Sequence, residues 1–189
     1  MEAIINAETF TAYHVVTDRP MQVGQHIRFD TAHHNGVYRR VMEKRADIDE
    51  IYAHPERYDA AALEHHTSVA LREFALEEVR QARYPSYPSR LACLYVSERL
   101  SDAEMWAELF LAWKRPTYHI VKLKICGNRF TGDANNCFDA VLDREQNFVM
   151  AERYWRNDPN PGGEPRIPEI LANGDMEVVG IVREINQFI

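Results

Sequence analysis

The sequence predicts an α+β domain, and three observations lead there. Amphipathic helical patterning fills most of residues 37–81, short strand-like apolar runs dominate from residue 91 onward, and no strand-helix-strand unit repeats. At 189 residues the chain fits one domain over residues 1–189, with a core large enough to hold without disulfides or metals. No window approaches the roughly 20 apolar residues of a membrane span, and the first residues lack the basic-then-apolar layout of a signal peptide. The expectation is a soluble, cytoplasmic protein with no membrane partner.

The elements follow in order. Ala12–Thr17 reads as the first strand, ended by Asp18-Arg19-Pro20, and Gln25–Phe29 as a second extended piece. Residues 37–58 are charged and helical, with a break at His54-Pro55. Asp59 then opens a long helix to about Gln81, whose stripe is Leu63, Thr67, Ala70, Leu71, Phe74 and Ala75; Val69 and Leu76 lie towards another side, so this helix touches protein on more than one face. Pro85 and Pro88 hold the next stretch extended, and Leu91–Val96 reads as a buried strand.

Ser101 with Glu104 has capping-box spacing, and Trp106, Leu109, Phe110 and Trp113 repeat at helical intervals until Pro116 forces a stop. In Tyr118–Ile125, Val121, Leu123 and Ile125 alternate with Lys122 and Lys124, as a strand with one buried face requires. Residues 127–136 read as turns, 142–154 as a helix and 157–163 as a loop. Glu169-Ile170-Leu171, a hairpin-like turn at Asn173-Gly174-Asp175 and a strand from Met176 to Val182 close the chain.

Composition excludes several classes of function. A net charge of -7 argues against a general nucleic-acid coat, because such binding rests on neutralising phosphates. The cluster Arg39, Arg40, Lys44 and Arg45 is diluted by Glu43, Asp47, Asp49 and Glu50 and reads as a solvated helix face. The pairs His33-His34 and His65-His66 point about 100° apart if helical, unlike the i, i+4 pair of a metal helix, so no metal is expected. Cys93, Cys126 and Cys137 are odd in number and lack CxxC spacing, which fits reduced structural thiols. Neither a GxGxxG nor a Walker loop is present.

Three short pieces remain, in a fixed order: Tyr13-His14-Val15-Val16, the stretch from Tyr95 to Trp106, and Glu169-Ile170-Leu171. Locally each has an ordinary reading, with His14 a strand histidine, Tyr95 and Trp106 core residues, Glu169 a solvated carboxylate, Ser89 a turn cap and Arg90 an ion-pair member. As a set they resemble the His-Tyr-Glu pattern of ADP-ribosyltransferases of the diphtheria-toxin and poly(ADP-ribose) polymerase branch. In that branch a second aromatic follows the motif tyrosine by eleven residues, as Trp106 follows Tyr95 here. The whole chain also resembles a bacterial family of unknown function related to these enzymes, in which Pro88-Ser89-Arg90, Tyr154-Trp155 and Pro168-Glu169 recur.

The resemblance implies a split β-sheet core and NAD as co-substrate. It makes Glu169, His14 and Tyr95 the catalytic set: Glu169 stabilises the oxocarbenium charge that develops as nicotinamide leaves, Tyr95 and Trp106 flank the nicotinamide, and His14 orients the adenosine ribose. Ser89 and Arg90 would contact ribose or pyrophosphate. The implied reaction is mono-ADP-ribosyl transfer to a macromolecular acceptor, protein or nucleic acid, as in an intracellular toxin paired with an antitoxin-like inhibitor protein. An NAD glycohydrolase with the same site and a non-catalytic binding module are the alternatives.

Overall fold

The computed structural model describes residues 7–17 and 19–187. Among them are strands β1 (Glu8–Val16), β2 (His26–Phe29), β3 (Leu94–Val96), β4 (Thr117–Gly127), β5 (Arg129–Asp133), β6 (Pro168–Ala172) and β7 (Gly174–Gln187). The helices are α1 (Gly36–Glu43), α2 (Arg45–Ala53), α3 (His65–Arg83), α4 (Leu100–Ala112) and α5 (Arg144–Arg156). Three of the five fall before residue 84, and the fold is α+β.

The strands form two antiparallel sheets, β1-β4-β7-β2 and β3-β6-β5. One long ribbon joins them. β4 runs on into β5 and β6 into β7, and the pairing keeps one register through the bend, from Cys126 opposite Asp175 to Arg129 opposite Ala172. Gly127 and Gly174 therefore face each other where the ribbon folds from one sheet into the other. A Cβ on Gly127 would sit 1.8 Å from the Asn173 carbonyl oxygen, and one on Gly174 would sit 2.3 Å from that of Cys126; Gly174 also has φ of +97°. Gly174→Ala is expected to lower the unfolding free energy by about 2 kcal/mol or more, seen as a shifted urea midpoint at unchanged slope.

The Asn173-Gly174 pair is thus a sheet-to-sheet crossing and not the hairpin its composition predicts. Residues 127–136 likewise hold a strand, β5, because Phe130 is buried under Trp155 and Tyr154 while the polar residues around it stay on the ladder. Asp59 caps only a short 3-10 turn at Ala60–Ala62, and α3 starts later, where Glu64 accepts from His66 N. The capping box does not form: α4 begins at Leu100 with Arg99 as its N-cap, and Glu104 instead accepts from Arg183 Nη1 at 3.0 Å.

Apolar alternation sets the layers. Ala12, Val16, Val96, Val121, Ile170 and Met176 meet between the sheets. α4 covers the outer side of β1 and β4 through Ala103, Ala107, Val15 and Ile120. α3 and α5 cover the other sheet, where Leu76, Trp155, Phe130 and Leu171 pack together, and Trp155 Nε1 donates to Leu76 O at 2.8 Å. α1 and α2 close over the far side of α3 through Val41, Ile48, Ile51 and Leu71.

Candidate active site

The two sheets are stitched at a second point, where Tyr13 and Ser97 exchange backbone hydrogen bonds of 2.8 Å. This bridge sets the next residue of β1 beside the end of β3. His14 Nδ1 lies 2.8 Å from the Tyr95 carbonyl oxygen. A carbonyl only accepts, so Nδ1 carries the hydrogen and donates it.

Tyr95 pairs with Leu171 on β6, and side chains on that strand alternate, so Glu169 and Leu171 share the face to which Tyr95 belongs. Opposite Glu169 the partner strand β5 carries Gly132, so no side chain crowds the carboxylate from there. From α4, Trp106 Nε1 donates to Pro168 O at 3.2 Å, which ties the indole to the residue before Glu169. His14, Tyr95, Trp106 and Glu169 are all half-buried. Tyr95 and Trp106 are not in ring contact; Trp106 rests on Phe110 at 5.8 Å, and Tyr95 faces the Arg90 guanidinium at 5.4 Å.

Behind Glu169 lies a buried polar cluster. Arg90 Nη1 donates to Glu169 Oε1 at 2.9 Å and to the Tyr154 hydroxyl at 2.6 Å, and that hydroxyl donates to the same Glu169 Oε1 at 2.6 Å. On its other side Arg90 Nε donates to Glu73 Oε2 at 3.0 Å, and Arg72 Nε donates to Glu73 Oε1 at 3.2 Å. Both protein bonds to Glu169 go to Oε1. Oε2 accepts none from the described residues, and no buried side-chain oxygen there lacks a partner, so Oε2 has access to solvent.

Burial works against charge on both Glu73 and Arg90, and their mutual attraction outweighs it. With Arg90 and Arg72 beside it, Glu73 is held below the ordinary carboxylate pKa, and Glu73 keeps Arg90 well above the ordinary guanidinium value. Burial pushes the Tyr154 and Tyr95 hydroxyls well above the ordinary tyrosine value, so both stay protonated at neutral pH.

Four of the six residues singled out from the sequence lie on adjoining elements: His14 bonds the Tyr95 carbonyl, Trp106 bonds the carbonyl before Glu169, and Tyr95 and Glu169 share one sheet face. Arg90 and Ser89 stand elsewhere than a ribose or pyrophosphate contact requires. Arg90 is 5 % exposed and directed inward, its fork filled by Glu73, Tyr154 and Glu169. Ser89 Oγ donates to Glu77 Oε2 on α3 at 2.7 Å and accepts from Leu91 N, so it closes the turn on the other side of Arg90.

Glu73 was not marked by motif. Its signal was a carboxylate between Ala70 and Leu76, three residues from each, which sets a charge on an apolar helix face and calls for a buried cation.

The loop that leads into β6 is anchored next to the site. Asp133 Oδ1 accepts from Ile167 N at 3.1 Å, and Oδ2 accepts from Asn160 Nδ2 at 3.2 Å, which fixes the approach to Pro168 and Glu169.

The model of a family described as "Protein of unknown function (DUF2441)" matches residues 12–186. The chain belongs to the DUF2441 family. No curated protein matches it. The matched span of this DUF2441 chain holds every residue of the site, from His14 on β1 to Glu169 on β6, together with the buried cluster behind it. Among the described residues no helix is long and apolar enough to cross a membrane.

Proposed function

We propose that this chain is an NAD-dependent ADP-ribosyltransferase that moves a single ADP-ribose unit to a macromolecule. The observation that supports the reading is the placing of His14, Tyr95 and Glu169 on three adjoining strands, His14 bonded to the Tyr95 carbonyl and Glu169 on the Tyr95 face of its sheet, with Glu169 Oε2 accessible to solvent. The bond that breaks joins the nicotinamide nitrogen to the anomeric carbon, and its electron pair leaves with nicotinamide. Positive charge grows on the ribose, where a fixed carboxylate lowers the barrier most. A nucleophile of the acceptor then bonds the anomeric carbon and passes its proton to solvent. Tyr95 and Trp106 line the departure path of nicotinamide, and His14 holds a ribose hydroxyl.

A protein acceptor fits the surface better than a nucleic acid. Of the arginines weighed for a phosphate-binding face, Arg39, Arg45, Arg80 and Arg83 pair with Glu43, Asp49, Glu77 and Glu152, and Arg90 is buried, which weighs against that patch as a phosphate surface. Three unpaired cysteines support a cytoplasmic setting for this reaction.

Incubation with cell extract and NAD labelled in its ADP-ribose half tests the reading. Label is expected in protein. Label in nucleic acid would move the acceptor class, and free ADP-ribose alone would make the enzyme a hydrolase. No release of nicotinamide under any condition would end the assignment.

A further inference from the structure

The buried cluster behind Glu169 offers a role beyond packing. We infer that Arg90 and Tyr154 are positioning residues that fix the Glu169 carboxylate by one oxygen so that the other meets the ribose, with Glu73 as the anchor of the device. The inference rests on the transferase reading and adds to it the residues that set the carboxylate's orientation.

Three observations carry it. First, the two donors converge on a single oxygen: Arg90 Nη1 and the Tyr154 hydroxyl reach Oε1 at 2.9 and 2.6 Å and also bond each other at 2.6 Å. A closed triangle of this kind fixes the carboxylate plane as well as its position, since rotation of the carboxylate breaks both bonds at once. An ion pair serving stability alone gains most by engaging both oxygens in the forked arrangement. Here the second oxygen accepts no bond from the described residues and has access to solvent.

Second, the holders are themselves held. Arg90 is gripped from behind by Glu73 at 3.0 Å, its guanidinium lies 5.0 Å from the Tyr154 ring centroid, and its backbone carbonyl accepts from Asn35 Nδ2 at 2.7 Å. Tyr154 is fully buried against Trp155 and Phe130. Neither side chain has room to follow Glu169 if it swings.

Third, the elements involved are rigid ones. Glu73 lies inside α3, Tyr154 inside α5 and Glu169 on the central strand of its sheet. Preorganised geometry of this kind is what a charge-stabilising group needs, because a misplacement of about 1 Å can cost 10²-fold in rate.

Tyr154→Phe tests the inference, since it removes one hydroxyl from a side chain whose ring stays packed. With nicotinamide release as the readout, kcat is expected to fall about 10²-fold while KM for NAD stays within about twofold of the parent protein. Arg90→Lys is expected not to restore the hold, because one ammonium cannot serve Glu73, Tyr154 and Glu169 together. Glu73→Gln touches neither Tyr154 nor Glu169 and reads the device from its far end, with a smaller fall in kcat at unchanged KM.

An unchanged kcat in Tyr154→Phe and Glu73→Gln, with the parent protein active, would overturn the positioning role and leave the transferase reading intact. A raised KM at unchanged kcat would make Tyr154 a binding contact and overturn it equally. Absence of nicotinamide release from the parent protein would remove both.

Discussion

Glu169→Gln is expected to lower NAD turnover on the order of 10³-fold while NAD binding stays within a few-fold of the parent protein. The geometry dictates both halves of that result. The side-chain amide keeps the volume of the carboxylate, and its carbonyl oxygen can take the place of Oε1, accepting from Arg90 Nη1 and the Tyr154 hydroxyl. That orientation puts the amide nitrogen at the solvent-accessible position of Oε2. In the proposed reaction a donor without charge would then face the ribose in place of a fixed anion. The ground state, in which nicotinamide riboside is nearly neutral at the anomeric carbon, changes little. The transition state, which carries the oxocarbenium charge, loses its electrostatic partner. Equilibrium dialysis with NAD and a nicotinamide-release assay measure the two halves separately. Turnover within a few-fold of the parent protein would sink the role given to Glu169.

The fold class was legible because alternation and helical spacing are local properties. Val121, Leu123 and Ile125 against Lys122 and Lys124 mark β4 wherever the strand ends up in space. The bend at Gly127 and Gly174 was not legible, since each glycine lies in a turn-like sequence and only the register of the other strand shows that they face each other. β5 was hidden for the same reason: in Arg129–Asp133 only Phe130 is a large apolar residue, and its burial depends on Tyr154 and Trp155 from a distant helix.

In the site, His14, Tyr95, Trp106 and Glu169 could be singled out because spacing and order survive in the chain. The direction of Arg90 could not. An arginine after a Pro-Ser turn reads as an exposed cation, and what turns it inward is Glu73, seventeen residues earlier on α3, together with Tyr154, sixty-four residues later on α5.

That long-range dependence predicts a large effect on stability. Arg90→Met is expected to lower the unfolding free energy by about 3–5 kcal/mol, the usual result of removing one partner from a buried ion pair. Glu73, with a side chain 3 % exposed, would keep only Arg72 at 3.2 Å, and Glu169 only the Tyr154 hydroxyl. The same network shapes the pH dependence. Burial raises the Glu73 pKa and the two arginines lower it further, so the folded value lies below the unfolded value of about 4.3. Its contribution is complete above the unfolded pKa and is lost as pH falls through the folded one. Tyr154 and Tyr95 run the other way. Their folded values lie above the unfolded value of about 10, so their contribution is complete below that pH and is lost as pH rises through the folded values. Stability governed by these groups is therefore flat from about pH 5 to pH 9 and falls on both sides. In Arg90→Met the acid limb is expected to flatten, because Glu73 loses the cation that made its ionised form the stable one. Urea unfolding of both proteins from pH 3 to pH 8 measures the two effects together. A variant within about 1 kcal/mol of the parent protein, with an unchanged acid limb, would show that the Arg90 cluster holds little of the fold.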